Sequence, residues 1–142
     1  IIIINNSFRY YKMGPSLKKG ELLSGKKEIE DLFDLGRSFA MHPYRVIWRM
    51  KNIPATNTVQ VLFSVPKKKI GKAVHRNMLK RKMKEAYRLN KELLINALGP
   101  NGFQLALAFV YVGNELVEFS EIENKIILSL NRLVREYEKS SV

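Results

Sequence analysis

The sequence contains no cysteine. Disulfides, thiolate metal sites and a cysteine nucleophile are therefore excluded, which fits a reducing compartment such as the cytoplasm. Histidine is nearly as scarce. His42 and His75 are the only two, and neither has a nucleophile at a spacing that would suggest a catalytic triad. No glycine-rich phosphate loop is present. No apolar run approaches the ~20 residues that a membrane-crossing helix requires. The longest, Leu105 to Val112, suits a buried strand instead. The opening Ile1–Ile4 is too short for a signal-peptide core and has no basic leader before it. Met13 is a candidate natural start, which would make residues 1–12 an upstream extension. There are no repeats, low-complexity tracts or Pro/Gly/Ser linkers. Acid is also in short supply: 13 Asp and Glu face 25 Lys and Arg, leaving a net charge of +12.

What is present suits one domain. A chain of 142 residues with 46% hydrophobic content can build a real core. We expect a single domain over residues 16–137, with residues 1–15 and 138–142 as loose ends. An excess of positive charge this large calls for an anionic partner, and nucleic acid is the first candidate.

Hydrophobic periodicity outlines the elements. Residues 26–35 read as a helix with Ile29, Leu32 and Phe33 on one face and Gly36 as its stop. Residues 38–51 read as extended, with Tyr44, Val46, Trp48 and Met50 alternating on one face. Residues 52–57, containing Pro54, read as a turn. Residues 58–65 alternate again through Val59, Val61, Phe63 and Val65, so the two stretches predict an antiparallel hairpin. After Pro66 and a basic loop, one long helix is expected from Lys72 to Ala97. The Gly99-Pro100-Asn101-Gly102 run breaks the chain before a buried strand over 103–112. Residues 115–119 are a candidate edge strand. A final helix is expected from Ser120, whose Ser120-Glu121-Ile122-Glu123 fits a capping box. The order α-β-β-α-β-α, with one optional extra strand, predicts an α+β sandwich with helices on a central mixed sheet.

The charge is concentrated in one place. Residues 67–91 hold eleven basic residues and a single acid, Glu85, which accounts for +10 of the net +12. Stepping about 100° per residue puts Leu79, Met83, Ala86, Leu93 and Ala97 on one arc of the helix. Asn77, Lys80, Arg81, Lys84, Arg88 and Lys91 fall on the opposite arc, with Arg76 at the border. Like charges on one helix face repel, each i,i+4 pair costing a few tenths of a kcal/mol, and a polyanion would offset that cost. Arginine offers bidentate phosphate contacts and lysine point charges; Asn77 can both donate and accept. The residues alone leave a basic structural RNA-binding protein, a DNA-binding helix and a solvated charged face open. They offer no helix-turn-helix spacing and no dimerisation stripe. The carboxylates Glu30 and Asp34, with Glu28 and Asp31 beside them, are the one arrangement that a metal-dependent nuclease acting alone would use. An ordinary solvated helix face explains them better.

The basic segment also carries a motif run: Ser64-Val65, Lys67-Lys68, Lys72-Ala73-Val74, Arg76-Asn77-Met78, Lys80-Arg81 and Lys84-Glu85-Ala86. At this spacing it resembles the bacterial ribonuclease P protein family. Coarser similarity spans residues 17–134 and includes Gly36-Arg37-Ser38-Phe39. Three positions depart from the family pattern. Met78 stands where the family has a third basic residue, Lys84 where it has arginine, and Ile29 where an aromatic is common. The resemblance implies a small α+β fold with a left-handed crossover into the basic helix, although the general rule favours the opposite hand. It implies a ribonucleoprotein endoribonuclease, with catalytic RNA and precursor tRNA as partners and neither membrane nor DNA. The chemistry and its Mg²⁺ would belong to the RNA, so no catalytic or metal-binding residue is expected in this chain. Lys72, Arg76, Asn77, Lys80, Arg81, Lys84 and Arg88 would face the RNA. Phe33, Phe39, Tyr44 and Trp48 would line a cleft for the single-stranded 5′ leader, where aromatic faces stack on unpaired bases. Core packing is the alternative use of those four rings.

Overall fold

A computed structural model describes residues 16–51, 59–99 and 103–140. The element order is a 3-10 turn (Lys19–Glu21), α1 (Lys26–Leu35), β1 (Arg37–Met41), β2 (Tyr44–Lys51), β3 (Val59–Ser64), α2 (Ala73–Asn90), α3 (Glu92–Leu98), β4 (Gln104–Tyr111) and α4 (Phe119–Ser140). The four strands form one mixed sheet in the order β1-β2-β4-β3. β1 and β2 pair antiparallel, as do β2 and β4, whereas β3 and β4 run parallel.

The expected α+β sandwich with a mixed sheet is therefore present, with differences in its wiring. The stretch 38–51 is two strands, turned at His42–Pro43, and this supplies the extra strand. Residues 115–119 form no strand. The predicted β2–β3 hairpin is wrong: β4 lies between them. β4 explains its own position. All but one of its eight residues are buried, so both of its faces need cover, and only an interior place in the sheet provides that. The turns expected at residues 52–57 and 100–102, and the proposed extension at residues 1–12, lie outside the described residues.

One face of the sheet carries the larger core. Phe39, Tyr44, Val46, Trp48, Val61, Phe63, Leu105, Leu107, Phe109 and Tyr111 pack there against α2, α3 and α4. The rings of Phe63 and Phe109 stack at 5.8 Å, and Tyr44 meets Phe109 edge-on at 5.9 Å. The opposite face is shallower. Ile47, Ala106 and Ala108 pack there beneath Leu23 and Leu32, with α1 lying across them.

Helix boundaries follow local chemistry. α1 ends where the Gly36 N–H bonds the Leu32 carbonyl at 2.9 Å, with Gly36 in extended rather than left-handed backbone. The reason for glycine here is space. A Cβ at 36 would be driven into the Leu32 carbonyl oxygen and would lie 3.0 Å from both the Trp48 oxygen and the Ile47 methyl. Gly36→Ala is accordingly expected to cost about 1–3 kcal/mol, the usual range for forcing atoms into a filled site. A thermal melt checks this; an unchanged Tm would refute it. α4 begins at Phe119, one residue earlier than expected, with the Glu118 carbonyl accepting from the backbone N–H groups of Glu121 and Ile122.

The long basic helix breaks at Lys91 into α2 and α3. Asn90 turns its side-chain amide back onto the Ala86 carbonyl at 2.8 Å and onto Glu123 of α4 at 3.0 Å. A side chain that bonds nearby backbone in this way competes with continued helix. The break shifts the phase of the apolar face. Leu94 and Leu98 are buried, while Leu93 and Ala97, expected inside, are exposed.

Candidate nucleic-acid interface

α2 buries Leu79, Met83, Ala86 and Tyr87 against the sheet and α4. Three of these are the apolar arc predicted for this helix. The opposite side is cationic. Asn77, Arg81 and Lys84 are exposed and Lys80 is half-buried along the ridge. Lys72 is exposed at the helix start, where it serves as N-cap without a side-chain hydrogen bond. Met78, the departure from the family pattern, is partly buried.

The preceding loop is ordered rather than merely basic. Pro66 accepts from the backbone N–H groups of Lys69 and Ile70, and Ile70 is buried in the core. That anchor holds Lys67, Lys68 and Lys69, all exposed, next to the start of α2. Arg76 serves the same loop. Its guanidinium donates to the Ile70 carbonyl at 3.0 Å and the Gly71 carbonyl at 2.6 Å. Arg76 thus shapes the loop at the border of the ridge, and sequence spacing gave no sign of that role.

Two predicted ridge members are engaged in ion pairs. Arg88 donates to both oxygens of Glu85, one turn earlier. That pairing raises the guanidinium pKa further. Lys91 donates to Glu21 at 2.6 Å, joining the 3-10 turn to the α2–α3 junction. Burial acts to raise the Glu21 pKa. The Lys91 hydrogen bond, the Lys18 backbone N–H at 2.8 Å and the two lysine charges outweigh it and hold the carboxyl below its ordinary value. A depressed carboxylate stabilises the fold above its unfolded pKa, near 4.5, and loses that contribution as pH falls through its native value. Glu21→Gln is expected to make stability less sensitive to pH below about 4.5. Urea midpoints for both proteins at about pH 6 and about pH 3.5, either side of that window, measure this; parallel losses on acidification would contradict it.

The four aromatic candidates do not share one surface. Phe39, Tyr44 and Trp48 lie on the sheet face covered by helices, at 6%, 0% and 3% exposure. Tyr44 donates its hydroxyl to the Ile122 carbonyl at 3.1 Å, and burial raises its pKa. Arg132 sits 4.5 Å over the Phe39 ring and Arg37 5.6 Å over Trp48. Their alternation in sequence reflected core packing. Phe33, 44% exposed on α1, alone retains an open ring. On the shallower sheet face, the one that α1 covers, Arg45 and Ser38 are exposed and hydrogen-bonded to each other at 3.3 Å.

The acidic face of α1 is neutralised locally. Glu30 pairs with Lys26, Asp31 with Lys27 and Glu28 with Lys51. Among the described residues no group of three or more His, Cys, Asp or Glu could hold a metal ion. Nor, among them, is any helix long and apolar enough to cross a membrane.

A single sheet backed by helices, with one helix presenting a cationic ridge that is only partly paired with acid and an ordered lysine loop before it, defines a small basic α+β protein with a surface suited to a polyanion. Comparison with known proteins names the family. The Ribonuclease P family model matches residues 17–135. The ribonuclease P protein component of Porphyromonas gingivalis is 36% identical over 126 residues, covering 89% of this chain and 92% of the relative. That of Chlorobaculum tepidum is 38% identical over 104 residues, covering 68% and 67%. The solved RNase P protein of Thermotoga maritima superposes with a TM-score of 0.61 at 26% identity, covering 79% of this chain and 96% of that one. The Staphylococcus aureus RNase P protein shares the fold at a TM-score of 0.60, 18% identity and coverage of 80% and 96%. The chain belongs to the bacterial ribonuclease P protein family, the protein component of the ribonucleoprotein endoribonuclease that matures tRNA 5′ ends.

Proposed function

We propose that α2 and the loop before it form the contact with the catalytic RNA, through Lys67–Lys69, Lys72, Asn77, Lys80, Arg81 and Lys84. The observation that carries this is that these side chains are exposed, Lys80 half-buried, along a loop and helix whose one acid, Glu85, is turned onto Arg88. Arg76 supports the ridge by holding its loop. Arg88 contributes at its margin.

The precursor tRNA leader is assigned to the shallower sheet face. Phe33 offers a stacking surface there, and Arg45 a phosphate contact. Phe39, Tyr44 and Trp48 support that sheet from behind, as core. Hydrolysis and its Mg²⁺ are assigned to the RNA, and the protein's work is positioning and charge screening in the cytoplasm. The left-handed crossover from β3 through the basic helix belongs to the same reading.

Reconstitution tests this directly. A bacterial ribonuclease P RNA should cleave precursor tRNA at low Mg²⁺ far faster with this protein than without it. If about five phosphates are engaged, RNA affinity should fall with a log K against log salt slope of roughly −3.5 to −4.5. Absence of stimulation, or a flat salt response, would refute the assignment.

A further inference from the structure

A cleft of about 290 Å³ opens between the start of the described chain and the outer side of α2. Its lining is mixed in an informative way. Leu17 and Leu22, both half-buried, provide apolar surface, and Arg81, Lys84, Arg88 and Glu85 complete the wall. The volume sits near the lower bound of small-ligand pockets, roughly 300 Å³. It has room for a group of small-ligand size and not for an RNA helix.

A site for phosphate alone would need neither leucines nor a carboxylate. Leucine gains nothing from an anion, and Glu85 repels one. Yet Glu85 is the only acid in residues 67–91 and it lines this cleft. A nucleotide uses all three features. Its base is apolar on its faces, its phosphate is anionic, and its Watson–Crick edge carries donors in guanine, adenine and cytosine. A carboxylate has about four lone-pair sites. Arg88 occupies the lone pair that faces it on each Glu85 oxygen, which fixes the carboxylate in place and leaves its outward, divergent lone pairs for single base donors. Guanine, adenine and cytosine each offer such a donor in an exocyclic amino group. Uracil suits it worst, because its single edge N–H lies between two carbonyl oxygens that a carboxylate repels.

We propose that this cleft receives one unstacked nucleotide of the bound RNA, with its base against Leu17 and Leu22, its phosphate on Arg81 and Lys84, and an amino-bearing base edge (guanine, adenine or cytosine rather than uracil) on Glu85. The inference rests on the reading of α2 as the RNA-facing helix and adds base preference to a surface otherwise sensitive only to charge. Unstacked bases are the usual targets of sequence-dependent RNA recognition, so an anchoring site of this kind would fix the register of the protein on its RNA.

The test titrates the full-length chain with GMP, UMP and inorganic phosphate, following backbone amide shifts by NMR. GMP should move the amides of Leu17, Leu22 and residues 81–88 and bind at least about fivefold tighter than UMP, roughly the factor that one net hydrogen bond supplies. Glu85→Gln should bring the GMP-to-UMP ratio close to one while leaving the phosphate response at Lys84. Equal affinity of the wild-type chain for GMP and UMP would overturn the proposal. So would inorganic phosphate shifts at Leu17 and Leu22 matching those of GMP. Filter binding of the wild-type chain to ribonuclease P RNA runs alongside: its failure would count against the RNA-facing reading itself, whereas intact RNA binding without base preference counts only against the cleft.

Discussion

Replacing Lys80, Arg81 and Lys84 together by alanine is expected to weaken binding to ribonuclease P RNA by roughly 10²–10³-fold near physiological salt. That range follows from removing three charge-assisted hydrogen bonds at about 1–1.5 kcal/mol each, at or just below the low end for bonds to charged groups because these side chains remain solvated. The salt slope should shrink at the same time, by roughly 2 to 3, because three fewer counterions are released on binding. Folding should be nearly untouched. Arg81 and Lys84 are exposed and Lys80 is half-buried, and removing neighbouring like charges relieves repulsion along α2. A Lys26→Ala, Lys27→Ala double variant is the control. It removes two exposed cations from α1 that already face Glu30 and Asp31, and should change affinity little. Filter binding across a salt series reads all of this. A triple variant with an unchanged slope would show that the phosphate contacts lie elsewhere.

Phe109→Ala should be the most damaging single core change, costing about 3–5 kcal/mol. The ring is fully buried on β4, stacks on Phe63, and meets Tyr44 edge-on and Tyr87 at an angle. Tyr87 belongs to α2. Loss of Phe109 therefore opens a cavity where β4 supports α2. A fall in Tm on the order of 10–20 °C follows from the usual conversion for a chain of this size. RNA affinity should fall less than stability as long as the protein is assayed well below its melting point, since the ridge side chains are unchanged. A Tm drop of only a few degrees would mean that neighbouring rings close the gap.

These two predictions mark the division between what could be read along the chain and what could not. The ridge was legible because it is local: charge and apolar spacing on one helix place Lys80, Arg81 and Lys84 opposite Leu79, Met83 and Ala86 without reference to the rest of the protein. The helix at 26–35 and the buried character of β4 were legible for the same reason. Phe39, Tyr44 and Trp48 were not. Alternation shows that residues share a sheet face, but a core and a cleft both require that, and only the helices packed on it decide between them.

The sequence by itself determined the chemistry available to this protein: no thiol, almost no histidine, and a cationic helix that needs an anionic partner. It also determined the apolar arc of α2, Leu79, Met83 and Ala86, up to the break at Lys91. Tertiary structure decided the long-range matters. It placed β4 between β2 and β3, since a strand apolar on both faces is stable only with cover on both. It turned Glu21 onto Lys91, making part of an apparent RNA surface into an internal tie, whereas the Glu85–Arg88 pair is a local contact one turn apart within α2. It also brought Leu17 and Leu22 against α2 to form a cleft. Such pairings join residues up to 70 positions apart, as for Lys91 and Glu21, and no local period encodes them.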